Sequence, residues 1–319
     1  MLEKILLSAD ISTMTNLVGR WTVKRVHGID TIYSTNLGSA IKFNLSHSEF
    51  FKIDCFNNGN YFSNPQELAI RVDGQLWTRF RVNELIYLPL NNQPHQIEVM
   101  FAGNSDFDEI WTGKQGLAIK QFVFSDNAQI SPLVAKHQIT FVGDSITAGR
   151  WVTGKNASMD DSPYQNFVGI CSDILHADAT YIAYSAAGLF RHGLGGVPTT
   201  DQYLTQLDSE TEFTLNAENL VVINIGTNDS IHTNQEFKDK LINFYDLLQS
   251  NLSSAKLIFI IPFNQAFESV FHEVFDDEPV ILVETHEWDV STTDQVHPNL
   301  RGSKNAGTHL ANLIQTTVF

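Results

Sequence analysis

The sequence predicts two domains of different class: an antiparallel β-sandwich or jelly roll over residues 1–130, then a doubly wound α/β domain with a five-stranded parallel sheet over residues 131–319. Three observations predict it. Apolar residues recur at every second position in the first part, near-continuous apolar runs alternate with helical patterns in the second, and a polar, proline-containing stretch at residues 125–138 reads as the linker.

In the first part the runs are short and end in turn residues. AIKFNL sets Ile41, Phe43 and Leu45 on one side, FKIDC does so with Phe51, Ile53 and Cys55, LAIRV with Leu68, Ile70 and Val72 before Asp73-Gly74, and QIEVMF with Ile97, Val99 and Phe101. A strand with one buried face alternates in this way. In the second part ITFVG, ATYIAYS, NLVVINIG, KLIFIIPF and PVILVE read as strands buried on both faces under covering helices. SPYQNFVGICSDIL predicts a helix capped by Ser162 with Pro163 in its first turn, and Thr233 with Glu236 predicts a capping box ahead of the apolar stripe Phe237, Leu241, Phe244, Leu247 and Leu248.

Composition narrows the function. Thirty-six acidic against 20 basic residues give a formal charge of −16, which repels polyanions and argues against a nucleic-acid partner. Cys55 and Cys171 lie far apart in apolar stretches and read as buried thiols. Met1 is followed by no basic, apolar leader and no run of membrane-spanning length, so the expectation is a cytoplasmic protein with no membrane partner. A sandwich beside the α/β domain leaves room for a homo-oligomer.

Ligands of doubly wound sheets bind beyond the carboxyl ends of the strands. After the first run, Gly143-Asp144-Ser145 places a hydroxyl and a backbone N–H at a strand-to-helix turn, a nucleophile and an oxyanion donor in one residue. After the second comes Gly188, where backbone can approach a ligand; after the third, Asn228 offers an amide; near the end, Asp294-Gln295-Val296-His297 sets a carboxylate three residues before an imidazole. Each also has a plain reading, a turn, a tight loop, an Asx turn and a helix start. Trp21, Trp77, Trp111, Trp151 and Trp288 read as core or as rings on which a ligand could stack, with Trp151 and Trp288 nearest the motifs and so the candidates for lining a pocket. His286 and His309 are rival bases without an acid in the matching register, and the remaining histidines show no spacing that predicts a metal site.

Ser145, Gly188, Asn228 and Asp294 with His297, in that order, resemble the four blocks of the SGNH family of GDSL-type esterases and lipases over roughly residues 137–319. The resemblance implies a flavodoxin-like sheet, Ser145 as nucleophile, His297 as general base, Asp294 orienting it, and an oxyanion hole of Ser145 N–H, Gly188 N–H and the Asn228 amide, with no cofactor. Asp144 and Asp229 would shape loops. The order of sandwich then SGNH domain, with GRW at 19–21 and GDSITAG at 143–149, is similar to carbohydrate esterase family two. That implies a serine esterase removing O-acetyl or other short acyl groups from a small or oligomeric saccharide. A lipase or thioesterase on longer acyl esters, and a carbohydrate-binding protein on a retired hydrolase scaffold, are the alternatives.

Overall fold

The computed structural model describes residues 3–60, 64–215, 220–252 and 254–319. Two antiparallel sheets face each other in the N-terminal part. One runs Thr22–Val26, Ile29–Ser34, Leu117–Ser125, Phe50–Cys55, Ile86–Pro89, with Glu3–Leu7 also pairing Leu117–Ser125. The other runs Gln129–Pro132, Ala40–Ser46, His95–Gly103, Glu67–Val72, Thr78–Arg81, with Asn16–Val18 also on Ala40–Ser46. Alternation fixes which side meets the core: Ile41, Phe43 and Leu45 are fully buried while Lys42 and Asn44 face outward. Phe43, Phe51, Phe122 and Phe124 pack ring against ring between the sheets, with Phe51 stacked on Phe124 at 5.1 Å.

The C-terminal part is a parallel sheet in the order Ala177–Ala183, His137–Gly143, Leu220–Asn224, Lys256–Ile260, Ile281–Val283. This flavodoxin-like order reverses direction at the first strand, so a crevice opens beyond Gly143. Asn219, the first residue of the expected third strand, lies outside the described residues. Thr233 and Glu236 form the reciprocal cap of the Asn234–Asn251 helix, as their spacing predicts. No helix among the described residues is long and apolar enough to cross a membrane.

Two expectations need correction. The helix drawn from Ser162 begins at Phe167, with Asn166 as its cap and Ile174 turned to solvent. Tyr181 OH donates to Pro163 O and Tyr164 stacks on Trp77, contacts that hold residues 163–165 in a turn ahead of the helix. The stretch taken as linker is also mostly structured: Ala128 N–H closes a turn on Ser125 O, Gln129–Pro132 joins the sandwich, and His137 already belongs to the parallel sheet. Only residues 133–136 connect the two sheets. Polarity there reflects an edge strand whose residues are mostly exposed.

Two buried guanidinium groups tie the domains. Arg20, wholly buried, donates from Nε to Asn36 Oδ1, from Nη1 to Tyr203 O and Gln206 O, and from Nη2 to Tyr184 OH. Tyr203 OH continues the chain to Gly143 O, at the strand end before Ser145. Arg150 donates to Asn104 O, Asn104 Oδ1 and Asp161 Oδ2. Arg20→Ala would remove the donor shared by Asn36 Oδ1, Tyr203 O, Gln206 O and Tyr184 OH, so the expected cost is about 2–4 kcal/mol in a denaturant titration. Arg20→Lys should recover only part, because one ammonium cannot span the planar fork. An Arg20→Ala midpoint equal to wild type would show the tie to be dispensable.

Candidate active site

Ser145 opens the four-residue helix Ser145–Ala148, so its N–H is a first-turn donor without an intrahelical partner. Asp144 caps that helix, Oδ1 accepting from Ile146 N–H at 2.9 Å. Gly149 ends it in the left-handed region, φ 84°, close enough to Pro163 that a Cβ would lie 2.7 Å from its Cα. Asn166 fastens the same turn from the next helix, its amide donating to Ile146 O and Thr147 O while its oxygen caps Gly169 N–H.

His297 arrives from 152 residues away, and its Nε2 lies 2.9 Å from Ser145 Oγ. Its Nδ1 is 2.8 Å from Asp294 Oδ2, and Asp294 Oδ1 accepts the backbone N–H of His297 at 2.7 Å and of Val296 at 3.1 Å. Partial burial works to raise the Asp294 carboxyl, but the hydrogen bonds from His297 and Val296 and the attraction of the His297 ring outweigh it and hold the group below its ordinary value. Asp294 is therefore an acceptor that leaves Nδ1 protonated and the Nε2 lone pair facing the hydroxyl. The arrangement can move a proton from Ser145 Oγ to imidazole and so make an alkoxide-like nucleophile. Of the rival bases, His309 stacks on Trp288 and His286 lies beside Glu284 at the surface.

The three donors named for the oxyanion hole are placed differently. Ser145 N–H is a first-turn donor with no partner within its own helix. Asn228, in the short helical turn Thr227–Asp229, donates from Nδ2 to Ala187 O at 2.9 Å and to Asp144 Oδ2 at 3.3 Å. Gly188 sits at the right strand end, but its N–H donates to Arg191 O at 2.9 Å and is not available in this geometry. Asp229 is the cause: its buried carboxylate accepts N–H groups of Leu189, Phe190 and Arg191, curling the loop until Arg191 O reaches back. That curl also explains the glycine, since a Cβ at 188 would lie 2.4 Å from Asp229 Oδ1.

Trp151 stands beside His297, ring centroids 5.0 Å apart, with a backbone φ of 57°. A bulky residue in that region costs of order 1–3 kcal/mol. Asp161 Oδ1 accepting Trp151 N–H and Thr293 Oγ1 donating to Trp151 O hold it there. Trp288 goes elsewhere, packed on His309 and Phe263 against the last helix, and Trp111 is buried in the core. Sequence reading missed Asn166, Asp161 and Thr293. The signal for Asn166 was present, an asparagine three residues before Gly169 at the head of an apolar stripe; nothing local marks the other two.

Burial is the main cause that pushes the Asp144 carboxyl up, from 3.8 to about 7, with the Asp229 charge adding to it against hydrogen bonds from neighbouring N–H groups. A pKa raised in the folded state means stability that is complete below about pH 4 and is lost as pH rises through about 7. Asp144→Asn keeps an oxygen for the cap but never ionises. Over that window the stability difference should move in the variant's favour by on the order of 2–4 kcal/mol, then level off. Parallel pH profiles of the denaturation midpoint would contradict a buried, titrating Asp144.

Residues 141–304 match the GDSL-like lipase/acylhydrolase family. Among curated proteins, none matches the chain. Solved structures share the fold over its whole length. A family two carbohydrate esterase from Clostridium thermocellum, in complex with cellohexaose, aligns with TM-score 0.76 and 18% identity over 95% of this chain and 98% of that one. The family two carbohydrate esterase from Cellvibrio japonicus aligns with TM-score 0.77 and 13% identity over 99% and 98%. An acetyl xylan esterase from the rumen bacterium Butyrivibrio proteoclasticus gives TM-score 0.77 and 15% identity over 99% of each chain. With a family match covering half its length and the motif serine, histidine and acid meeting in space, the chain belongs to the GDSL-like lipase/acylhydrolase family and is a carboxylic ester hydrolase.

Proposed function

We propose that the protein is a serine esterase that removes O-acetyl or other short acyl groups from a carbohydrate alcohol. The observation that carries the reading is the aligned pair of hydrogen bonds, Ser145 Oγ to His297 Nε2 at 2.9 Å and His297 Nδ1 to Asp294 Oδ2 at 2.8 Å. In this reading Ser145 Oγ attacks the ester carbonyl as its proton passes to His297 Nε2. The imidazolium, steadied by Asp294, then protonates the departing sugar oxygen, and a water deprotonated by the same nitrogen releases the acid. Ser145 N–H meets the developing oxyanion directly. Asn228 joins by giving up its long bond to Asp144, while Gly188 contributes only if the turn closed by Arg191 opens.

The carbohydrate alcohol is supported by the likeness of the whole chain, sandwich included, to carbohydrate esterases. It is supported also by where the sandwich sits: its Asn104 binds Arg150, the residue before Trp151, and its Trp111 N–H donates to Gly195 O of the loop that follows Gly188. In this reading Trp151, tilted 52° to the neighbouring His297 ring, is the ring that stacks on the sugar. Short acyl groups are favoured over the lipase and thioesterase alternatives because the solved structures of the same fold include an acetyl xylan esterase.

Ser145→Ala should lower kcat on an activated acetyl ester on the order of 10⁴-fold or more. Wild type should release acetate from acetylated mono- and oligosaccharides and turn over octanoyl esters far more slowly. Equal activity of the Ser145→Ala protein would reject the nucleophile, and preference for octanoyl esters would reject the acyl class. Trp151→Ala should raise KM for acetylated saccharides by roughly 10-fold, the scale of one lost ring stack, and leave a small activated acetate much less affected. A matching rise for both esters would mean that the ring serves His297 rather than the sugar.

A further inference from the structure

Away from Ser145, the helix Glu268–Phe275 and the chain leaving the last strand, Ile281–Val283, carry two short spacings, Glu268-x-x-x-His272 and Glu284-x-His286. A four-residue step returns to the same face of a helix, and a two-residue step to the same side of extended chain. Each pair therefore presents one carboxylate and one imidazole together. The fold brings the two pairs into one cluster. Ligand atoms of Glu268, Glu284 and His286 all lie within 4.8 Å of one another. His272 reaches this group of three through one member, its Nε2 2.9 Å from Glu284 Oε1, while its Nδ1 lies 3.0 Å from Asp276 Oδ1.

An imidazole with one nitrogen aimed into a group of donors and the other held by a carboxylate is the arrangement that orients a histidine ligand and raises its basicity. The cluster is open to ions, the side chains of His272, Glu284 and His286 being 39%, 41% and 55% exposed. Its position matters for the rest of the domain. Thr285, between two of the four residues, is buried, donates to Ile261 O and accepts from Gln265 Nε2. Here the chain leaves the sheet and starts the segment that carries Asp294 and His297.

We propose that Glu268, Glu284 and His286 bind a divalent transition-metal ion, Zn²⁺ foremost, with His272 turning from Glu284 to become the fourth ligand, and that the bound ion staples the helix to the root of the segment carrying His297. Two imidazoles and two carboxylates suit tetrahedral Zn²⁺, whereas Mg²⁺ and Ca²⁺ prefer sites made wholly of oxygen. The competing account, a protonated His272 bridging Asp276 and Glu284 with no ion, explains that one ring but not the approach of His286 to Glu268. The sequence reading found no metal spacing because neither pair alone is a ligand set; the site exists only where helix and strand end meet.

The test is calorimetric titration of the full chain, stripped with EDTA and desalted, with ZnCl₂ and separately with MgCl₂. One Zn²⁺ per chain should bind, about 10-fold or more weaker in Glu284→Gln and lost in the His272→Ala/His286→Ala double variant, with no binding of Mg²⁺. Excess Zn²⁺ should raise the wild-type Tm by about 3–6 °C and leave the double variant unmoved. Absence of Zn²⁺ binding, or the same affinity in the double variant, overturns the site. Should the double variant fold poorly, Glu284→Gln, nearly isosteric, decides alone: unchanged affinity there is equally fatal. Neither readout depends on ester hydrolysis, so the two assignments stand or fall separately.

Discussion

The 2.9 Å separation of Ser145 Oγ from His297 Nε2 is the constraint around which this domain is arranged. A hydrogen bond between side chains 152 residues apart contributes at most a kilocalorie or so by itself, too little to order either loop. Each end must be rigid beforehand. At the serine end, Asp144 caps the helix above and Asn166 clamps its carbonyls from the side. At the histidine end, Thr293 N–H donates to His297 O, an isolated bridge joins Thr292 to Pro298, and Asn299 caps the last helix through Arg301 and Gly302 N–H. Thr293 Oγ1 then crosses to Trp151 O, so the two loops are tied independently of the pair they present. Preorganisation of that kind removes the reorganisation cost of each turnover.

The same logic explains why the contact between domains is polar. Arg20 is buried without a carboxylate in direct contact, its charge spread over carbonyls, an amide and a tyrosine hydroxyl, and burial lowers its pKa below the ordinary guanidinium value. Apolar contact would stabilise the junction at lower desolvation cost, but it would allow sliding. Five directional N–H groups in a plane accept one register only. That register sets Tyr203 on Gly143 O and Asn104 on Arg150, both next to the Ser145 turn.

What the sequence made legible follows from how local the physics is. Strand runs, the alternation of the sandwich and the Thr233–Glu236 box are settled by side chains within a few residues, and all appear where expected. The meeting of Ser145 with His297 was legible because their order along a doubly wound chain forces both to one edge of the sheet. Illegible were features decided by distant partners. Ser162 and Pro163 look like a helix start until Tyr181 and Trp77 hold the turn; residues 129–132 look like linker until Ala40–Ser46 supplies a partner strand. Trp288 and Trp151 are alike in sequence, and only packing sends one to His309 and the other to His297.

The oxyanion side of the crevice shows why a motif residue need not stand in its working position. Asp229 gathers three consecutive N–H groups of the loop after Gly188, and a carboxylate so bound is held firmly. The curl it imposes commits Gly188 N–H to Arg191 O, a neutral bond of the kind that an alkoxide-like oxygen outcompetes, since a charged acceptor binds roughly twice as strongly as a carbonyl. Asn228 is likewise committed, its Nδ2 2.9 Å from Ala187 O and 3.3 Å from Asp144 Oδ2. In the proposed reaction neither donor would be offered to a neutral ester carbonyl at full strength, and each would gain most when negative charge appears on that oxygen. If they serve the reaction, donors held in reserve this way would bind the ground state less than the transition state, the kind of difference that accelerates a reaction.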